Sequence, residues 1–211
     1  FNLGGLAVVL LSLVPGLVRG EVVPGLVLKL TSAAGQSDAR VARTVALHVP
    51  DGAPVSPFLE QGGFTARWEG KLVLEKRSRL VFHLAGTGEG RLLVDGEELV
   101  PALGASMESM RLRSGEHEFV VEYTPPAKGD ATLRLLWEGR EFGREPMPGG
   151  LFVHDAEDPA LKKQSLLRRG RELVAAKRCV ACHEPGEDRM MPELLLAAPS
   201  LNGIGSRLEQ D

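Results

Sequence analysis

Apolar and polar side chains alternate in short segments between about residue 25 and residue 153. In "FVVEY", Phe119, Val121 and Tyr123 share one face, and "SRLVFHLAG" and "ATLRLLWEG" follow the same pattern. Successive side chains of a strand point to opposite sides of a sheet, so a period of two buries one face and leaves the other in water. These segments therefore predict β-strands, each with one buried face.

Turn residues separate the predicted strands. Asp95-Gly96 in "LLVDGEEL" is typical of a two-residue hairpin, because both central positions of a type I′ turn need positive φ. Ser114-Gly115 predicts a second turn, and "PPAKGD" predicts a longer hairpin. The 25 glycines and 14 prolines fit a turn-rich fold. About seven strands at this spacing predict a two-sheet β-sandwich over residues 25–153.

The hydrophobic period changes from two to 3.6 after residue 158. Asp158 before Pro159 fits a helix N-cap followed by proline at the first helical position. Helical spacing then places five residues on one side, which are Leu166, Leu167, Gly170, Leu173 and Val174. The change of period predicts a second, α-helical domain over residues 159–211, and the length of 211 residues allows two domains.

The first twenty residues predict a signal peptide. They are uncharged through Val18, and Pro15-Gly16 interrupts the apolar run too early for a membrane span. Val18 and Gly20 are small enough for a cleavage site. The alternative is a single membrane anchor, and only an uncleaved segment would give membrane contact. Because no basic region precedes it, we expect the natural chain to begin before Phe1. We also expect the protein to be exported to the periplasm or another extracytoplasmic space.

Composition and motifs narrow the function classes. The formal net charge of −3 gives no nucleic-acid footprint. No paired carboxylates stand out in a motif, and no nucleophile elbow is present, so nothing resembles a hydrolase. Whether the chain is an enzyme stays open, and the sequence favours an electron-transfer protein over a catalyst.

The segment "RCVACHEPGEDR" holds both cysteines, Cys179 and Cys182, with His183 directly after them. A disulfide would close too small a loop to stabilise a fold much. A redox dithiol is open, although its motif usually follows a strand. Zinc would need further ligands, and the other histidines lie in the strand region. Covalent haem c uses all three residues: two thioether bonds, with His183 as the iron ligand. Haem is the favoured prediction.

The predicted strands resemble a known family. "FTARWEGKLVLEKRSRLVFHLAGTGEGRLLVDGEELV" and "SGEHEFVVEYTPPAKGDATLRLLWEG" are similar to the protective-antigen-type domain, a β-sandwich of bacterial toxins, adhesins and glycosidases. The matching positions are Trp68, Gly70, Leu92, Asp95 and Gly96. Several members bind sugars through calcium held by two adjacent aspartates, and no such pair occurs here. The resemblance therefore implies an interaction or spacer sandwich, with glycan binding as an alternative.

The C-terminal segment "AAPSLNGIGSR" resembles the class I c-type cytochrome family, with matches at Pro199, Leu201, Gly203, Gly205 and Arg207. The resemblance covers residues 159–211, and Gly170 and Val174 resemble the close-packing positions of the family's first helix. It implies a small all-α cytochrome c-like domain, in which the Pro199 carbonyl accepts the N–H of the ligating histidine.

The sixth iron ligand is missing from the match. Met190 and Met191 precede the proline motif, whereas the family takes its methionine from beyond it. We therefore expect the helical domain to continue past Asp211. The resemblance implies one-electron transfer to a redox partner protein. Basic residues of 162–178 either dock that partner or form a solvated surface. The alternatives are a glycan- or cell-wall-binding protein with a subsidiary haem, and the electron-relay part of a larger oxidoreductase.

Overall fold

The computed structural model describes residues 21–105 and 109–179. Within them the chain forms thirteen strands, a short 3-10 turn at Gly149–Leu151 and one α-helix. The elements are β1 (Val22–Pro24), β2 (Leu26–Ser32), β3 (Ser37–Ala42), β4 (Ala46–Val49), β5 (Phe64–Leu74), β6 (Ser78–Gly86), β7 (Glu89–Val94), β8 (Glu97–Val100), β9 (Met110–Leu112), β10 (Gly115–Thr124), β11 (Ala131–Gly139), β12 (Phe142–Pro146), β13 (Phe152–Asp155) and α1 (Pro159–Ala176).

Two antiparallel sheets build the molecule. The first has eight strands in the order β1-β13-β5-β10-β7-β8, with β2 paired to both β5 and β3. The second has five strands in the order β12-β11-β6-β9, with β4 paired to β11. The all-β sandwich predicted from the alternating pattern is confirmed. Its strands are more numerous than the predicted seven, because long apolar segments are accompanied by short edge strands that carry little pattern of their own.

Gly70 lies where β5 changes partner from β2 to β13. A Cβ atom at this position would lie 2.7 Å from Leu26 Cδ2 and 2.7 Å from the Val153 carbonyl oxygen. Real Cβ atoms do not approach so closely, so only glycine fits. Trp68, two residues earlier, is fully buried. The "W-x-G" pattern thus combines a core side chain with a close approach of three strands.

The core lies between the two sheets. Phe82 of β6 meets Phe119 of β10 with ring centroids 6.3 Å apart, and Phe119 meets Phe152 at 5.0 Å. The alternation in "FVVEY" is confirmed, because Phe119, Val121 and Tyr123 are all buried. Each of these side chains removes a large apolar area from water, which is the main favourable term in folding.

Two turn predictions have different outcomes. Asp95 and Gly96 have φ values of 53° and 79° and join β7 to β8, which confirms the hairpin. The hairpin predicted at "PPAKGD" is wrong, because β10 lies in the first sheet and β11 in the second. Pro125 and Pro126 carry no N–H to continue a ladder, and the chain crosses between the sheets at this point.

Helix α1 begins as predicted. The Asp158 carboxylate Oδ1 accepts hydrogen bonds from the backbone N–H groups of Ala160 at 2.8 Å and Leu161 at 3.2 Å, and Pro159 is the first helical residue. The helix packs through its polar side rather than its leucine-rich side. Leu166 is 74% exposed, and Gln164 is the buried residue. No helix among the described residues is long and apolar enough to cross a membrane.

A buried ion pair holds α1 against β3. Asp38 is 2% exposed, and the Arg168 Nη2 lies 2.6 Å from its Oδ1 and 2.5 Å from its Oδ2. The Ser56 hydroxyl donates to the same carboxylate at 2.6 Å. The Arg168 guanidinium also stacks 4.9 Å from the Phe58 ring centroid. An isolated buried carboxylate is expensive, so Asp38 selects the polar side of the helix for packing.

His117 is a second polar contact close to the core. Its Nδ1 lies 2.7 Å from the Asp95 carboxylate, and its Nε2 lies 3.0 Å from the Arg113 carbonyl oxygen. Burial disfavours the charged imidazole, but the two acceptors outweigh this effect and raise the pKa of His117 above its usual value. The charged ring therefore ties the β7–β8 turn to the start of β10.

We expect Arg168→Met to lower the free energy of unfolding by about 2–4 kcal/mol, because it leaves the Asp38 carboxylate buried without its cation. Arg169→Met is the matched control, since Arg169 is exposed, and it should change stability by less than about 0.5 kcal/mol. Urea unfolding measures both. Equal effects of the two variants would contradict a packing role for the ion pair.

We also expect the free energy of unfolding to fall as the pH rises past about 6.5, the usual pKa of histidine. The pKa of His117 is raised in the folded state, so its charged form stabilises the fold fully below the unfolded-state pKa. This contribution is lost as the pH rises through the folded-state pKa. His117→Gln should flatten this dependence. Unfolding free energies at several pH values above and below that point test it. An unchanged pH slope in the variant would assign the dependence to another group.

Candidate functional site

The sequence-predicted haem residues are only partly within the described chain. Cys179 is exposed and follows the C-cap residue of α1, Lys177, by two positions. Cys182, His183, Pro199 and both candidate methionines lie outside the described residues, as do the signal-peptide residues 1–20. Their roles stay predictions. In the part of the chain that the structure does describe, no three His, Cys, Asp or Glu side chains are grouped so as to hold a metal ion.

Three surface grooves of the sandwich are large enough for a ligand. The first, on the outer side of the eight-stranded sheet, has a volume of about 560 Å³. Two ion pairs lie in or beside it: Lys71 with Glu116 at 2.7 Å, and the neighbouring Lys29 with Glu69 at 2.9 Å. Partial burial opposes ionisation, but the Lys29–Glu69 contact lowers the pKa of Glu69 and raises that of Lys29. Five carboxylates and one lysine line this groove, so its excess charge is negative.

The second groove lies at the loop end of the sandwich and has a volume of about 420 Å³. Its walls are mostly glycine, proline and alanine. The neighbouring Asp130 carboxylate accepts a hydrogen bond from the Asp51 backbone N–H at 3.0 Å and lies 3.4 Å from His48. These contacts join two loops, so the local polar groups serve the fold.

The third groove, which we call the second-sheet groove, has a volume of about 700 Å³ on the outer side of the five-stranded sheet. It is lined by β6, by β9 with the preceding Ser109, and by the β11–β12 hairpin. These residues are Arg79, Val81, Ser109, Arg111, Glu138, Gly139, Arg140, Phe142 and Gly143.

Strand alternation places two arginines on the same outer face of this groove. Leu80 and Leu112 are buried, so Arg79 and Arg111 point the opposite way, into solvent. The register pairs Arg79 of β6 directly with Arg111 of β9. Side chains directly opposite in an antiparallel pair have Cβ atoms about 5 Å apart, and like charges there destabilise the sheet.

The positive charge of the groove is not neutralised locally. Among the described residues, no carboxylate forms an ion pair with Arg79, Arg111 or Arg140. The single carboxylate lining the groove, Glu138, lies 3.8 Å from Arg144 and is thus already shared. The second-sheet groove therefore carries an excess of positive charge on a chain whose net charge is −3.

An aromatic wall borders the arginines. The rings of Phe142 and Trp137 pack with centroids 4.7 Å apart, and Trp137 Nε1 donates to Glu145 at 3.3 Å. The Phe142 ring covers Gly139 so closely that a Cβ atom there would lie 2.6 Å from it. Gly139 thus leaves room for the Phe142 ring. Phe142 remains partly exposed on the groove side.

These groove residues were not predicted from the sequence. Alternation in "SRLVFHLAG" does place Arg79 outside, and "MRL" does the same for Arg111. Their pairing depends on β9 joining β6 rather than its sequence neighbour β10, and no local pattern reports such a pairing. The observed arrangement has the parts of a binding groove: a flat ring, backbone without side chains and unpaired cations.

Comparisons with known proteins identify the fold. No protein-family model matches the chain, and no curated protein does. An anti-sigma factor domain-containing protein from Clostridium clariflavum is similar, with 18% identity and a TM-score of 0.54 over 61% of this chain and 46% of that one. A second anti-sigma factor domain-containing protein has 18% identity and a TM-score of 0.52 over 62% of this chain and 47% of that one. This chain spans about half the length of both. The PA14 sugar-binding domain from an RTX adhesin has 14% identity and a TM-score of 0.48 over 63% of this chain and 99% of that one.

These similarities correct the family expectation for residues 159–211. No protein-family model matches the chain, and the solved structures similar to it include two anti-sigma factor domain-containing proteins, so the resemblance to class I c-type cytochromes is wrong. Among the described residues, helix α1 packs through Gln164 and Arg168. At these identities the comparisons show the sandwich fold alone.

Proposed function

We propose that this protein is an exported carbohydrate-binding protein whose ligand lies in the second-sheet groove. The observation that carries the proposal is the partly exposed Phe142 ring beside arginines that have no carboxylate partner among the described residues. A sugar ring offers an apolar C–H face to an aromatic ring and polar groups to charged donors, so it matches both features.

The dimensions of the groove support this class of ligand. Ligand sites are concave, measure about 300–1,000 Å³ and combine apolar walls with a few polar groups. The second-sheet groove, at about 700 Å³, has Phe142 and Val81 as apolar walls and Ser109 as a hydroxyl donor. Gly139 and Gly143 leave the backbone open to close approach. The first groove has an excess of carboxylates, and the polar groups beside the second are paired within the protein.

Export supports a carbohydrate ligand as well. The apolar N-terminal segment and its Pro15-Gly16 interruption favour a signal peptide. A protein in an extracytoplasmic space meets cell-wall and matrix polysaccharides, which are extended chains suited to an open surface groove rather than a closed cavity.

Phe142→Ala tests the groove. We expect it to weaken binding of an oligosaccharide selected from a glycan array by about tenfold, since stacking on an aromatic ring contributes roughly 0.5–1.5 kcal/mol beyond area burial. Phe142→Leu keeps apolar volume for the hairpin but removes the flat ring, and it should lose affinity similarly. Isothermal titration calorimetry measures both variants.

The matched control is Leu166→Ala, which trims an exposed apolar side chain on α1. It should bind like the parent protein. If the parent binds no glycan on the array, or if Phe142→Leu binds as the parent does, carbohydrate binding in this groove is wrong.

We propose as a second function that Cys179 and Cys182 attach a haem covalently, with His183 as an iron ligand, for one-electron transfer. The observation in favour is the C-x-x-C-H spacing, which uses both cysteines of the chain. Each S–H would add across one vinyl double bond, so the two thioethers form without an oxidant. Exposure of Cys179 leaves its thiol accessible for such attachment.

Expression in a host that matures c-type haem proteins tests this attachment. We expect a red chromophore that stays with the polypeptide after denaturation and extraction with acidified organic solvent. Cys179→Ala/Cys182→Ala should lose the colour while the sandwich keeps its unfolding transition. A chromophore that is extracted from the parent, or that never forms, would contradict the proposal.

A further inference from the structure

We infer that the carbohydrate bound in the second-sheet groove is acidic, carrying carboxylate or sulfate groups. This inference rests on the proposed function and adds the chemical class of the ligand. It depends on the positions of three arginines and on what surrounds them.

Two of the arginines lie on neighbouring strands, and the third lies in the adjoining β11–β12 turn. Arg111 of β9 is paired with Arg79 of β6. On the other side of β6, Leu80 is paired with Gly139 of β11, and Arg140 follows directly after Gly139. Adjacent strands lie about 4.8 Å apart, so Arg79 and Arg111 are one strand step apart.

This arrangement is unfavourable without a ligand. Arg79 and Arg111 are directly opposite, and like charges at this spacing destabilise a strand pair. Charges elsewhere on the protein are arranged differently: on the outer face of the first sheet, Arg67 and Arg91 both pair with Glu122. The repulsion in the groove is therefore a local feature that an anion would remove.

Arginine suits carboxylate and sulfate groups. Its planar guanidinium presents donors in a fixed fork that matches two oxygen atoms, and such charge-assisted pairs are roughly twice as strong as neutral ones. An anion between Arg79 and Arg111 would accept from both. A chain of acidic sugars crossing the strands would present its next anionic group toward Arg140, with Phe142 beneath a sugar ring.

Nucleic acid fits the groove less well. The net charge of −3 gives the chain no general attraction for a long polyanion, and the positive charge is confined to one groove. A short acidic sugar segment needs only the three arginines and the ring beside them.

The test compares oligogalacturonate and heparin oligosaccharides with carboxyl-reduced oligogalacturonate and with heparin that is desulfated, N-acetylated and carboxyl-reduced. We expect the full chain to bind at least one acidic probe at least about tenfold more tightly than its neutralised counterpart, and added salt to weaken only the acidic complex. Arg79→Gln/Arg111→Gln should remove this preference. The same variant should unfold with equal or higher free energy, because the repulsion is gone.

The matched control is Lys163→Gln/Arg169→Gln, which removes two exposed positive charges from α1. It should retain the preference. Equal binding of acidic and neutralised probes overturns the inference but keeps the proposed function. Binding of neither probe also overturns the inference, and the glycan array then decides the proposed function. Duplex DNA bound as tightly as the acidic sugar would assign the groove to polyanions in general and overturn the inference.

Discussion

Packing of the two sheets against one shared core determines what the surface of this protein can do. The ring centroids of Phe82 in β6 and Phe119 in β10 lie 6.3 Å apart across the sandwich. With these two side chains in the core, strand alternation buries every second residue of β6 and β10. With Leu80 and Phe82 committed to the core, Arg79 has no alternative to the outer face. A shift of one residue would bury the arginine, so the register of β6 is strongly specified. The candidate site is thus a consequence of the core.

The fold was predictable to the extent that its signals are local. Period-two alternation identified the buried face of β10. The Asp95-Gly96 pair identified the turn between β7 and β8, because these residue types tolerate the positive φ that the turn needs. Which strands pair is a non-local property. The chain leaves β10 through Pro125-Pro126 for the other sheet, and β9 pairs with β6 across an intervening hairpin. The groove depends on this second pairing, which explains why its residues carry no sequence motif.

Helix α1 shows how a single buried charge overrides an apolar pattern. Its leucines recur at helical spacing, yet Arg168 reaches the 2%-exposed Asp38 and Leu166 remains in solvent. Asp38 lies in "GQSDARV", far from the helix in sequence, so the amphipathic pattern of α1 could not report it. The helix start was predictable, because the Asp158 cap and Pro159 act within one turn. The C-x-x-C-H segment follows this helix, so the Asp38–Arg168 pair also fixes where that segment leaves the sandwich.

We propose that the outer face of the second sheet binds an acidic sugar through Arg79 and Arg111. A crystal structure of the protein with a short oligogalacturonate is the decisive measurement. We expect a carboxylate within hydrogen-bond distance of both arginines, and a sugar ring lying on Phe142. A sugar bound instead at the glycine-rich loop end, or beside Lys71 on the first sheet, would contradict it.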